Sequence, residues 1–109
     1  MNYTENNNIF ITRGDTGAFH VTLKDRDGEP FIPEAGYTLR FAMARKYDAG
    51  KDILIDKEFP AEDAVIEIDP IDTKYLKFGN YVYDVELRDA SDNYVDTVIS
   101  ARMVLLKEV

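Results

Sequence analysis

The sequence predicts an all-β fold: an antiparallel sandwich of about seven strands crossed once by a short helix. Three observations lead there. Apolar side chains alternate with polar ones through residues 19–24, 37–44 and 81–88, the period of strands with one buried face. Turn residues punctuate the chain between these runs at regular spacing. Only one stretch, residues 69–80, carries helix-starting chemistry.

The elements follow in order. Residues 1–8 are polar and rich in Asn, and read as a flexible N-terminus. Ile9-Phe10-Ile11 is a short apolar run and a first strand. After "TRGDTG", Phe19, Val21 and Leu23 alternate with His20, Thr22 and Lys24. "DRDGEP" follows, with Asp27-Gly28 as the turn. Tyr37, Leu39, Phe41 and Met43 then share one face of a strand. "ILIDKEF" (53–59) and "AVIEID" (64–69) are shorter strands separated by "PAED". Tyr81, Tyr83, Val85 and Leu87 share the inner face of the next, and "DASDN" (89–93) turns the chain into a long final strand over 94–106. Residues 9–109 read as a single sandwich domain.

The helical crossing is expected near 70–77. Asp69 can cap it, Pro70 suits its first position, Asp72 favours its positive end, and Gly79 can end it at positive φ. A short piece of this kind crosses between sheets before the penultimate strand of an immunoglobulin-like sandwich, and that is the arrangement expected here. Leu76, Gly79 and Tyr81 are arranged much like a tyrosine corner, at a spacing other than the fibronectin one.

The final strand is apolar on both faces toward its end. Met103 and Leu105 share one face with Ile99 and Ala101, and Val98, Val104 and Leu106 fall on the other. Either a bulge near Ser100-Ala101 switches the register, or a partner covers the outer face. The candidate interface is the apolar end of this strand, Val98, Met103, Val104 and Leu106.

Composition narrows the chemistry. The chain has 109 residues and no cysteine, which excludes disulfides, zinc–thiolate sites, iron–sulfur clusters and cysteine nucleophiles. Twenty-one acids against 13 bases give a net charge of −8, which opposes nucleic acid and anionic lipid. No apolar run approaches the roughly 20 residues of a membrane helix. "MNYTENNNIF" lacks the basic and apolar regions of a signal peptide, so either synthesis in the cytoplasm or a signal already removed is expected.

No catalytic constellation is legible. His20, the sole histidine, falls on the polar face of a strand, and neither Ser91 nor Ser100 sits at a strand-to-helix elbow. Asp56/Glu58, Glu67/Asp69 and Asp84/Glu86 are strand pairs spaced about 7 Å along one face, as on any polar sheet surface. "DRDGE" does not meet the EF-hand pattern. No enzyme activity, metal or cofactor is expected. A carbohydrate-binding or adhesin-like module is the alternative, with Tyr47, Tyr75 and Tyr94 as its platforms.

Residues 13–15 spell Arg-Gly-Asp, the tripeptide of adhesive ligands. Its setting between a short apolar run and a strand makes it a turn, with Gly14 free to take positive φ and Asp15 able to accept backbone hydrogen bonds. Arg13, Gly14, Asp15, Asp27, Gly28 and Gly79 are accordingly expected as structural turn residues.

"IFITRGDTGAFHVTL", "DRDGEP", "GYTLRFAMA", "IEIDPIDTKYLKFGNYVYDVEL" and "YVDTVIS" succeed one another in an order that resembles the small β-sandwich proteins of phage and prophage tails, in particular the N-terminal domain of upper baseplate proteins. The resemblance spans about residues 9–106. It implies a non-catalytic structural module that assembles with other phage proteins or with itself, made in the bacterial cytoplasm and associated with a virion. Two departures stand out. Ser100-Ala101 occupy a place where a glycine is expected, and the chain stops where a baseplate protein would continue into a receptor-facing domain, as an accessory piece or a truncated gene would.

Overall fold

The computed structural model describes residues 3–5, 7–24, 27–30, 33, 35–46, 52–89, 91 and 95–108. Among these residues eight strands form two sheets. They are β1 (Tyr3–Glu5), β2 (Asn8–Thr12), β3 (Gly17–His20), β4 (Thr38–Ala44), β5 (Ile53–Pro60), β6 (Val65–Ile68), β7 (Gly79–Arg88) and β8 (Val95–Leu106). The large sheet has the order β1-β2-β8-β7-β4-β5, and β3 pairs with β6 in the small one. A helix, α1 (Pro70–Thr73), makes the crossing from the small sheet to β7, and a 3-10 turn over Ala61–Asp63 joins β5 to β6.

Both sheets feed one core. Phe19, Val21, Leu23, Ile66 and Ile68 come from the small-sheet side, and Ile9, Ile11, Leu39, Phe41, Met43, Val85 and Leu87 from the large one. This is the all-β sandwich that the alternating pattern predicts. Buried and half-buried positions alternate throughout β4, and in β7 from Tyr81 onward. Tyr81 and Tyr83 are buried and discharge their hydroxyls on main-chain oxygens, Tyr81 on Lys77 and Tyr83 on Asn7. The Tyr81 bond reaches back four residues across Gly79, as a tyrosine corner does.

The structure departs from the sequence reading at several points. The stretch read as a loose N-terminus holds β1, whose backbone pairs antiparallel with β2 and so supplies that strand's outer hydrogen bonds. The sheet is not wholly antiparallel: β2 runs parallel to β8, Ile9 level with Met103 and Thr12 level with Leu106. A parallel pair needs a long connection, and here nearly the whole domain supplies it. The run over 19–24 leaves the ladder at His20, although Val21 and Leu23 keep facing the core.

The bulge in β8 lies at Val98 rather than at Ser100-Ala101. Val85 pairs with Ile99 but Glu86 pairs with Thr97, which leaves Val98 as the extra residue. From Ile99 onward the register is regular, and it aims Met103 inward with no exposure. Met103 is therefore core, not interface, and Val98 packs partly against the same core.

Candidate functional site

The crossing, the turn after β2 and the end of β8 meet at one end of the sandwich. The turn forms because Gly14 takes φ +84° while the Asp15 N–H donates to the Thr12 carbonyl at 3.0 Å. The Gly14 N–H donates to Thr73 Oγ1 at 2.8 Å. Thr73 is fully buried at the end of α1.

Arg13 completes the junction. Its guanidinium pairs with the Glu108 carboxylate and donates to the Leu76 carbonyl at 3.0 Å. It also lies 5.7 Å from the centre of the Phe78 ring. The hydrogen bond from Arg13 holds the Glu108 carboxyl below its ordinary value, and the same bond raises Arg13. The Arg-Gly-Asp tripeptide thus has two of its residues tied to the crossing, with only Asp15 plainly exposed.

A second tie crosses between the sheets. Lys57 of β5 donates to Asp72 at 2.8 Å, to Asp69 at 3.0 Å and to the Glu67 carbonyl at 3.1 Å, which uses all three ammonium protons. Burial works against its charge, but the hydrogen bonds it donates to Asp72 and Asp69, with the attraction of both carboxylates, outweigh it and raise its pKa. The same Asp72 carboxylate accepts the Asp69 N–H at 2.7 Å and so closes the start of α1. Asp72 reads in sequence as a helix-start residue; its bond to Lys57 has no local signature.

The surface around this junction is apolar and cationic. Ile71, Tyr75 and Phe78 are large apolar side chains exposed by 64%, 78% and 52%. Lys74 lies 5.4 Å from the Tyr75 ring centre, and Lys107 lies 5.6 Å from that of Phe78. Arg13, Gly14, Pro70, Lys74 and Glu108 line an open groove of about 360 Å³.

On the outer face of the large sheet, Phe10 of β2 is level with Val104 of β8, and Thr12 with Leu106. Continuing the β7–β8 register one residue past Gly79 sets Phe78 level with Leu106. Half-buried Phe10, Val104 and Leu106 and exposed Phe78 therefore make an outward apolar row. Of the four interface candidates, Val104 and Leu106 lie in it, while Val98 and Met103 turn toward the core. Phe10 and Phe78 carry no mark of this row in the sequence, because neither stands in the final strand; only the register joins them to it.

The other candidate residues are dispersed. Asp56 is clamped by Arg40 through two hydrogen bonds of 2.8 and 2.7 Å, which lower its pKa, and Asp84 accepts from Ser100 at 2.7 Å. Glu86 pairs with Arg88 and Arg40. His20 is exposed on β3. Gly28 takes φ +81° in a turn closed by the Lys24–Pro30 bridge, with Asp27 exposed beside it, and Gly79 takes φ +138°. Among the described residues, no three acidic or histidine side chains converge as metal ligands. Tyr47 and Tyr94 lie outside the described residues. No described helix is long and apolar enough to cross a membrane.

Against protein-family models, curated proteins and solved structures, the chain finds no match.

Proposed function

We propose that the chain is a non-catalytic structural module of the phage or prophage tail and baseplate kind. It acts by protein–protein assembly, after synthesis in the bacterial cytoplasm, and becomes part of a virion. The observation that carries the assembly reading is the outward row of Phe10, Val104, Leu106 and Phe78 on a sheet whose inner face is already packed. Contiguous apolar side chains on the water side of a sheet are a cost to a monomer and an asset to an interface. The order of turn and strand motifs, similar to that of upper baseplate N-terminal domains, supports the phage setting.

Light scattering across a concentration series tests the assembly reading. The expected result is a mass that rises with concentration and falls when Val104→Lys or Leu106→Lys is introduced. If both substitutions leave every species unchanged, the outward row is not an interface and the reading fails.

A further inference from the structure

The two ends of the sandwich are unlike each other, and they match. β7 runs from the crossing to the opposite end, ten residues or roughly 30 Å. At the crossing end stand exposed Ile71 and Tyr75 with Lys74 and Lys77 beside them, in a chain of net charge −8.

At the opposite end, the start of β4, the end of β5 and the 3-10 turn enclose an open groove of about 320 Å³. Thr38 pairs with both Arg88 and Pro60, which fixes the groove at the far end of β7. Its walls include Tyr37, Phe59 and Pro60, and Glu58 and Glu62 stand on its rim. Both carboxylates are on exposed residues, and Asp63 is exposed beside them.

We propose that copies of this chain associate head to tail, with Tyr75 and Lys74 of one copy seated in the Tyr37–Phe59–Pro60 groove of the next. The aromatic ring replaces water against the apolar walls. The lysine meets Glu58 and Glu62, so opposite charges face each other across the contact. A second copy is the occupant because the chain carries both halves of the complement, one at each end. Such a contact is heterologous, and it leaves a free head and a free tail on every assembly until a ring closes. The inference rests on the assembly reading and gives it a direction. It uses surfaces separate from the outward row of the large sheet.

Sedimentation of the full chain and two variants tests it. One variant carries Lys74→Ala with Tyr75→Ala; the other carries Glu58→Lys with Glu62→Lys. All four positions are exposed, so the variants should fold as the parent does. The parent is expected to grow past dimer as concentration rises, and to shorten at high salt. Each variant alone should lose association through the ends by more than about tenfold. Mixed in equal amounts, they should form an end-to-end pair and no longer chain, because each keeps one intact end. An association that survives in both variants and disappears with Val104→Lys overturns the head-to-tail contact while leaving the assembly reading in place. A parent that stays monomeric at every concentration also overturns it.

Discussion

The Gly14 amide donates to the Thr73 hydroxyl at 2.8 Å, joining two turns 59 residues apart in the chain. Thr73 is the buried polar side chain of the described structure, and its hydroxyl has this donor. Removing the oxygen leaves a half-buried N–H short of its partner, at a cost of at most about 1–3 kcal/mol. Thr73→Val should lower stability by that amount in chemical denaturation, and Thr73→Ser should keep most of it. A Thr73→Val protein as stable as the parent would mean that water satisfies Gly14.

Two glycines separate backbone strain from crowding. A Cβ at Gly14 or Gly79 meets nothing within 4 Å, so only φ matters at either site. Gly14 lies at +84°, near the left-handed region, and alanine there should cost about 1–2 kcal/mol. Gly79 lies at +138°, a region that side chains scarcely enter, and alanine there should cost about 1–3 kcal/mol. The order Gly79→Ala worse than Gly14→Ala is the expected outcome of paired thermal melts.

Lys57 is expected to give the fold an alkaline limit. Its folded pKa is raised, so its contribution is full below the unfolded value and is lost as pH rises through the folded one. Stability should therefore fall above the ordinary lysine range. Lys57→Met should remove that dependence and cost about 1–2 kcal/mol at neutral pH, since Asp72 is only 16% exposed and loses its cation. A Lys57→Met protein with an unchanged alkaline limb would assign that limb to other groups.

Asp56 shapes the acid side. Its pKa is lowered by the hydrogen bond from Arg40, so its contribution is present above the unfolded value and lost as pH falls through the folded one. The carboxylate is 49% exposed, and solvent screens the pair. Asp56→Asn should flatten the acid limb by less than about 1 kcal/mol, and less still in high salt. Acid titrations of the two proteins at low and high salt measure the difference.

Met103 and Val104 are adjacent but belong to opposite faces of β8. Met103→Ala should cost about 2–5 kcal/mol, because its site is fully enclosed. Val104→Lys should change stability by about 1 kcal/mol or less and act on association instead. Denaturation and light scattering on the same two proteins separate the roles. Equal losses of stability would mean that Val104 is also core.

Alternation over 37–44 and 81–88 places Leu39, Phe41, Met43, Tyr81, Tyr83, Val85 and Leu87 inside, and each is buried. Asp69, Pro70 and Asp72 place the start of the crossing where α1 begins, but the helix ends at Thr73 rather than near 77, and Gly79 opens β7 instead of ending the helix. These are properties of neighbouring residues, and neighbours constrain each other through backbone geometry alone. The partners of a strand are not local. That β2 lies parallel beside β8, that the extra residue in β8 is Val98, and that Phe10 and Phe78 join Val104 and Leu106 in one row all depend on pairing between distant segments. Lys57 finding Asp69 and Asp72 depends on how the two sheets stack. The sequence by itself determined most of the strands, the inward faces of β4 and β7 and the turns at Gly14 and Gly28, but not β1 or the bulge in β8. Only the tertiary structure decided which strands meet, because burying every inward face at once has one solution and that solution carries no local mark.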